Sequence, residues 1–157
     1  MGRPERGPLR TELPWRAEFP RTLRRALHGS HAFWQGDAIN LKPQFTGYDL
    51  IFCGNLLDRL YDPGKFLESI HERIRPGGLL VLASPYTWLE EFTPREHWIG
   101  GFKKDGEPVT TLDALRVRLA TRFRPVGEPE DIPFVLRETQ RKFQHTVAEM
   151  TVWERKE

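Results

Sequence analysis

A chain of 157 residues with 38% hydrophobic content and a net charge of +2 is long enough for one domain with a real core and too apolar for wholesale disorder. Its 24 Lys and Arg and 22 Asp and Glu are dispersed apart from Arg21, Arg24 and Arg25, so no nucleic-acid footprint stands out, and a single cysteine excludes an intramolecular disulfide framework and a thiolate zinc cluster. No apolar run approaches the roughly 18 residues of a membrane span, and the arginine-rich start lacks the apolar stretch of a signal peptide, so the cytoplasm is the expected compartment.

Residues 1–31 form the least regular part, with Pro4, Pro8, Pro14 and Pro20 interrupting any period. A basic, proline-rich lead is expected there, with two helical turns at most over Arg21 to His28, where Leu23 and Leu27 are spaced by four. Ala32-Phe33-Trp34-Gln35 is a short aromatic strand candidate that Gly36-Asp37-Ala38 ends with turn chemistry. Asp37 has two readings: an acid past a buried strand that accepts hydrogen bonds from a bound nucleotide, or a plain turn former. Leu41 to Gly47 is a loop.

The organising stretch is residues 48–86. Asp49 to Cys53 is a short apolar run between Gly47 and Gly54, right for a strand buried on both faces. Asp62-Pro63 is an N-cap and first-turn pair, and Phe66, Leu67, Ile70 and Ile74 recur at helical spacing. Arg75-Pro76-Gly77-Gly78 reads as the helix stop, and Leu79 to Ala83 as a second buried strand. A strand, helix and strand of this length form a parallel unit whose ligand edge lies beyond the strand ends, at Cys53-Gly54-Asn55 and Ser84-Pro85-Tyr86.

Tyr86 to Gly106 is a long connection with Trp88, Phe92, His97, Trp98 and Phe102 inside it. Such a loop either covers a pocket mouth or packs its aromatics on the next helix. His97 has no ligand-spaced partner, so no metal site is expected. Thr110 or Thr111 caps a helix ending near Thr121, Phe123 to Gly127 reads as a strand, and Ile132 to Leu136, interrupted by Pro133, as an irregular segment or an edge. Gln144 to Glu154 is the last strand, antiparallel to Phe123 to Gly127 because no crossover helix need lie between them.

The run YDLIFCGNLLDRLYDPGKFLESIHERIRPGGLLVLASPY resembles the second half of class I S-adenosylmethionine (SAM) dependent methyltransferases, as their fourth and fifth strands. More narrowly, FWQGDAINLKPQFTGYDLI, ASPYTWLEEFTPREHWIGGFKKDGE and RETQRKFQHTVAEMTVW look like the 4-mercaptohistidine N1-methyltransferases of ovothiol synthesis, a likeness covering about residues 33–155. It implies an α/β, incomplete Rossmann-like fold over residues 32–157, with a mostly parallel sheet and an antiparallel C-terminal strand. It also implies methyl transfer from SAM to an imidazole nitrogen of a thiol-bearing histidine, completing ovothiol A.

Carried over by position, Asp37 and Ala38 match the acid and amide that contact the adenine ring, and Cys53, Gly54 and Asn55 the strand end beside the methionine part of SAM. For Cys53 this implies backbone use. The resemblance places Asp58 and Arg59 where they would meet a zwitterionic substrate and Tyr86 and Trp88 where they would stack on an imidazole; the plainer readings are a strand-end turn for Asn55 and a charged helix surface for Asp58 and Arg59. The chain departs from the family in having no glycine-rich strand, turn and helix before residue 54, which would leave two strand spacings, about 10 Å, between the Phe33 and Asp49 strands. Three outcomes are expected: the Phe33 strand shifts over, an apolar edge is exposed, or another chain supplies the missing strands. The competing reading is a non-catalytic remnant or partner subunit that keeps the second half of the fold as a binding surface.

Overall fold

A computed structural model describes residues 34–157. The chain divides into two compact units, Met1–Gly36 and Asp37–Glu157, and the second carries all the regular structure among the described residues. The expected basic lead and the Ala32-Phe33 part of the first strand candidate lie outside the described residues; Trp34 and Gln35 have no regular structure.

Strand β1 (Tyr48–Gly54) forms where the apolar run predicts it. Helix α1 (Pro63–Ser69) starts at the expected cap, the Asp62 carboxylate accepting from the Lys65 amide at 2.9 Å and proline filling the first turn. The helix expected to continue through Ile74 stops at Ser69 and tightens into a 3-10 turn over Ile70–Arg73. Ser69 Oγ donates back to the carbonyls of Lys65 and Phe66 at 3.1 and 3.3 Å, the local bond that weakens a helix there.

Strand β2 (Ile74–Ser84) then begins inside the supposed helix stop. It pairs parallel with β1 from Tyr48 opposite Ile74, but Leu50 already faces Leu79, so two steps of β1 span five of β2. Pro76 and Gly77, the latter at φ 75°, sit in that bulge, where no ladder amide is required and a left-handed residue is.

The long aromatic connection holds a 3-10 turn at Arg95–His97 and a hairpin of β3 (Phe102–Lys104) and β4 (Glu107–Val109). Asp105 and Gly106 both have positive φ, 53° and 89°, the signature of a tight two-residue hairpin turn. Helix α2 (Thr111–Leu119) is capped by Thr110, whose Oγ accepts from the Asp113 amide at 3.1 Å and donates to its carboxylate at 2.6 Å. Strands β5 (Phe123–Pro125), β6 (Glu130–Arg137) and β7 (Phe143–Arg155) complete the chain. Pro133 is tolerated because, among the described residues, β6 pairs with β7 alone, leaving its outer side without ladder bonds there.

The main sheet runs β1-β2-β7-β5, with β6 also on β7. The fold is α/β with the expected antiparallel last strand, but the sheet is mixed rather than mostly parallel. Among the described residues only β1 and β2 pair in parallel, while β7 is antiparallel to β2, β5 and β6. The physical reason is connectivity: β6 returns into β7 by a short connection without a crossover helix, and such a return reverses the strand.

One face of the sheet carries the core. Cys53, Leu80, Leu82, Phe123 and Trp153 pack against Phe66 and Leu67 of α1, Ile70 of the following turn, and Leu115 and Leu119 of α2. The opposite face is different. β1 was expected to be buried on both sides, yet Leu50 is 50% and Phe52 61% exposed, and β1 ends the sheet with β2 as its sole neighbour among the described residues. Among the described residues β1 thus presents an apolar edge; Phe33, on which the first expected outcome turns, lies outside the described residues. Among the described residues no helix is long and apolar enough to cross a membrane.

Candidate functional site

β1 and β2 finish side by side at Gly54 and Ser84, and the chain leaving each is fixed at once. The Asn55 amide donates to the Ala83 carbonyl at 2.7 Å, tying the exit of β1 to β2. Asn55 and Tyr86 both take left-handed backbone, φ 52° and 51°. For asparagine this is common; for a bulky aromatic it stores strain of about 1–3 kcal/mol that its surroundings must offset.

The surroundings are a hydrogen-bond network centred on Asp58, which is 1% exposed. Its Oδ1 accepts from Ser84 Oγ at 3.0 Å, and its Oδ2 accepts from Thr87 Oγ1 at 3.0 Å and Arg59 Nη1 at 3.1 Å. Ser84 Oγ in turn accepts from the Tyr86 amide at 3.2 Å, and Arg59 Nη1 donates to the Thr87 carbonyl at 2.9 Å. Arg59 also lies 4.9 Å over the Phe92 ring. Tyr86 is thus braced on both sides by residues bound to one carboxylate.

The Tyr86 hydroxyl is buried without a hydrogen-bond partner, as is Oε1 of Glu149, which pairs with Ser84 across β2 and β7. Burial, then the Glu149 carboxylate and Asp58, push the phenol above its ordinary 10.0, so it stays a neutral donor. Glu149 acts on it electrostatically while the two oxygens do not meet as a hydrogen bond.

Tyr86 also forms one wall of an open cleft of about 980 Å³. Its other walls are Arg95, Glu96 and Trp98, the start of the hairpin at Phe102 and Lys103, and Thr110 at the start of α2. Trp98 is held by its indole N–H donating to the Thr93 carbonyl at 2.9 Å and by stacking on Trp88, centroids 6.4 Å apart.

The structure therefore brings Asn55, Asp58, Arg59 and Tyr86 to one edge. Trp88 is set behind them: it is buried, and its indole N–H donates to Thr111 Oγ1 at 3.1 Å, so Trp98 and not Trp88 presents a ring to the cleft. Asp37 takes the turn-forming role, its Oδ1 accepting from the Ile39 amide and its carbonyl from Asn40, both at 3.0 Å. Ala38 packs against the core cluster. Cys53 points into that core, and burial pushes its thiol up to about 12, so only its backbone is at the strand end. At Gly54 a Cβ would come within 2.8 Å of the Phe52 ring.

Asp37 Oδ1 and the Asn55 amide are engaged within the chain, and no glycine-rich turn stands among the described residues. No three His, Cys, Asp or Glu gather into a metal cluster among the described residues. The residues that sequence reasoning left aside are Thr87, Glu96, Lys103 and Glu149; Glu149 carried one usable signal, an acid in the middle of the last strand on the side of buried Thr151 and Trp153.

No family model and no curated protein matches the chain. Among solved structures, one described under the conversion of a disulfide bond into a thioacetal group during echinomycin biosynthesis is similar at a TM-score of 0.56 and 18% identity, over 87% of this chain and 60% of its own. A SAM-dependent methyltransferase from Methanosarcina mazei is similar at a TM-score of 0.53 and 17% identity, over 82% of this chain and 68% of its own. The chain spans about three fifths of the first and two thirds of the second. With one parallel pair, a reversed last strand inserted beside it and these structural likenesses, the described residues have an incomplete Rossmann-like fold of the class I methyltransferase type.

Proposed function

We propose that the chain is the substrate-side part of a SAM-dependent N-methyltransferase acting in the cytoplasm, and that its substrate is 4-mercaptohistidine, methylated on an imidazole nitrogen to complete ovothiol A. The observation that carries the reading is the position of the Asp58 network: it lies at the carboxyl ends of the parallel pair, where open α/β sheets bind their ligands, and it braces Tyr86, one wall of the aromatic cleft. The resemblance over residues 33–155 supports the finer substrate. SAM supplies the methyl group and its leaving sulfur when bound.

The chain's own part is orientation. A neutral imidazole nitrogen is a nucleophile near pH 7, so the protein has to seat the ring, hold it still and keep water away. Tyr86 and Trp98 line the cleft, and the Asp58 network fixes Tyr86 against rotation of its backbone.

Calorimetric titration with SAM tests the reading, first on the chain and then on the chain fused behind a glycine-rich strand-turn-helix segment of a SAM-dependent methyltransferase. The fused form is expected to bind SAM and to add a methyl group to 4-mercaptohistidine, detected by mass; the chain alone is expected to bind SAM weakly or not at all. A fused form that folds yet neither binds SAM nor transfers a methyl group sinks the proposal.

A second reading is favoured by the outer side of β1, where Leu50 and Phe52 are exposed beside an unpaired strand edge. On that reading the chain is a partner subunit or non-catalytic remnant that associates with another chain supplying the adjoining strands.

A further inference from the structure

We propose that the chain forms a two-fold dimer through the outer half of its β6-β7 hairpin, a second copy laying the same arm against it in the opposite direction. The arm begins where the sheet narrows. β2 ends at Ser84 opposite Glu149, so among the described residues the part of β7 before Glu149 has β6 as its sole partner. Two strands alone are marginal in water unless something packs on them. Alternation along β7 carries the helix-bearing face, which holds Thr151 and Trp153, out to Val147 and Phe143. Pro133 and Arg137 of β6 stand opposite these two, with Val135 between them on the same face. Pro133, Val135, Phe143 and Val147 are exposed, the last three by about half, and none is a wall of the cleft beside Tyr86. Single exposed hydrophobics are ordinary, but four adjoining on one face of a two-stranded arm make a contact surface.

The charges select a second copy and its direction. On the same face Asp131 lies at the base of the arm and Arg137 near its tip, about 20 Å apart along β6. Both are exposed and neither makes an ion pair among the described residues. Arg137 Nε donates to the Thr139 carbonyl at 3.0 Å, which leaves its two terminal nitrogens for a carboxylate. A two-fold axis across the strands lays β6 on its counterpart with the direction reversed. Each Asp131 then meets Arg137 of the partner subunit, and the apolar residues meet in the middle. An axis along the strands would instead set like charges against each other at both ends. Exposed ion pairs contribute little, so the apolar middle supplies the affinity and the charges fix the direction. A peptide or nucleic acid of one charge sign would be opposed by either Asp131 or Arg137. This face is opposite to the one that carries Leu50 and Phe52, and the dimer is independent of methyl transfer.

Sedimentation velocity of the full chain carrying Phe52→Lys, which charges the open edge of β1, reads this contact by itself. A dimer is expected. Asp131→Arg and Arg137→Asp, each added singly, should weaken it about tenfold, since each turns two attractions into two repulsions. Val147→Lys should weaken it at least as much, by placing a charge in the apolar middle. An equimolar mixture of the Asp131→Arg and Arg137→Asp chains should recover the dimer, because each then offers the other two opposite charges. A variant that had merely lost its fold would not be rescued in this way. A monomer in the Phe52→Lys background, any of the three substitutions leaving the dimer unchanged, or a mixture no more associated than its components overturns the proposal.

Discussion

Asp58 shows how one residue can serve folding and site together. It is a fully buried carboxylate that accepts from two hydroxyls and a guanidinium, so its removal leaves donors facing each other without an acceptor. Asp58→Ala is expected to cost about 3 kcal/mol in urea unfolding, and Asp58→Asn less, because it keeps one acceptor oxygen. A change of under about 0.5 kcal/mol for the alanine variant would mean that the network does not brace Tyr86. Cys53 and Tyr86 set the alkaline behaviour. Both are neutral when protonated, and burial raises both: the thiol from 9.0 up to about 12 and the phenol above 10.0. The folded chain therefore keeps protons that the unfolded chain has already released. Stability is complete below pH 9 and falls as pH rises from there towards about 12. Cys53→Ala should flatten the first part of that fall when urea midpoints are followed against pH, and an unchanged slope would remove the thiol as its cause. At neutral pH the native thiol should resist alkylation until the chain is unfolded.

At the scale of elements, what the sequence made legible was carried by neighbours within a turn. Asp62-Pro63 and Thr110 cap their helices as read, because the cap bond closes over three residues. The end of α1 was not legible, since Arg75-Pro76-Gly77-Gly78 has the chemistry of a helix stop and becomes a bulge only because β1 offers a parallel partner from Ile74 onward. The β3-β4 hairpin left a signal in Asp105-Gly106, masked by charged residues where alternation is normally sought. The candidate site was half legible: the switch between strand ends gathers Asn55, Asp58, Arg59 and Tyr86, whereas the burial of Trp88 behind Trp98 depends on a three-dimensional stack. Two predictions belong here. Thr110→Ala should cost about 1 kcal/mol by thermal unfolding, the value of an N-cap. Gly100→Ala should cost about 2 kcal/mol, since a Cβ there would lie 2.4 Å from the Thr111 amide nitrogen and 2.6 Å from its Cα, backbone that cannot step aside.

At the scale of the whole molecule, the decisive fact is that among the described residues the sheet has two apolar faces and helices on one. Along β2 and β7, Leu80, Leu82, Thr151 and Trp153 are buried against α1 and α2, while Leu79, Val81, Met150 and Val152 on the alternate positions are only half-buried. In β1 the same alternation puts Leu50 and Phe52 on the less covered face, at the strand whose outer ladder has no partner among the described residues. A flat apolar face beside an open strand edge favours association with any chain that can add a strand and a covering layer. The chain alone is therefore expected to bind a hydrophobic dye and to associate as its concentration rises, followed by sedimentation velocity. Phe52→Lys places a charge on the edge strand and should lower both. It should change the unfolding free energy measured in urea by less than about 1 kcal/mol, because the ring it removes is already 61% exposed. Fusion to the glycine-rich half should have the same effect by a different route, covering the face instead of charging it. If the unmodified chain stays monomeric at every concentration and binds no dye, or if Phe52→Lys behaves as the parent does, then the second face is covered within the chain and the partner reading loses its physical basis.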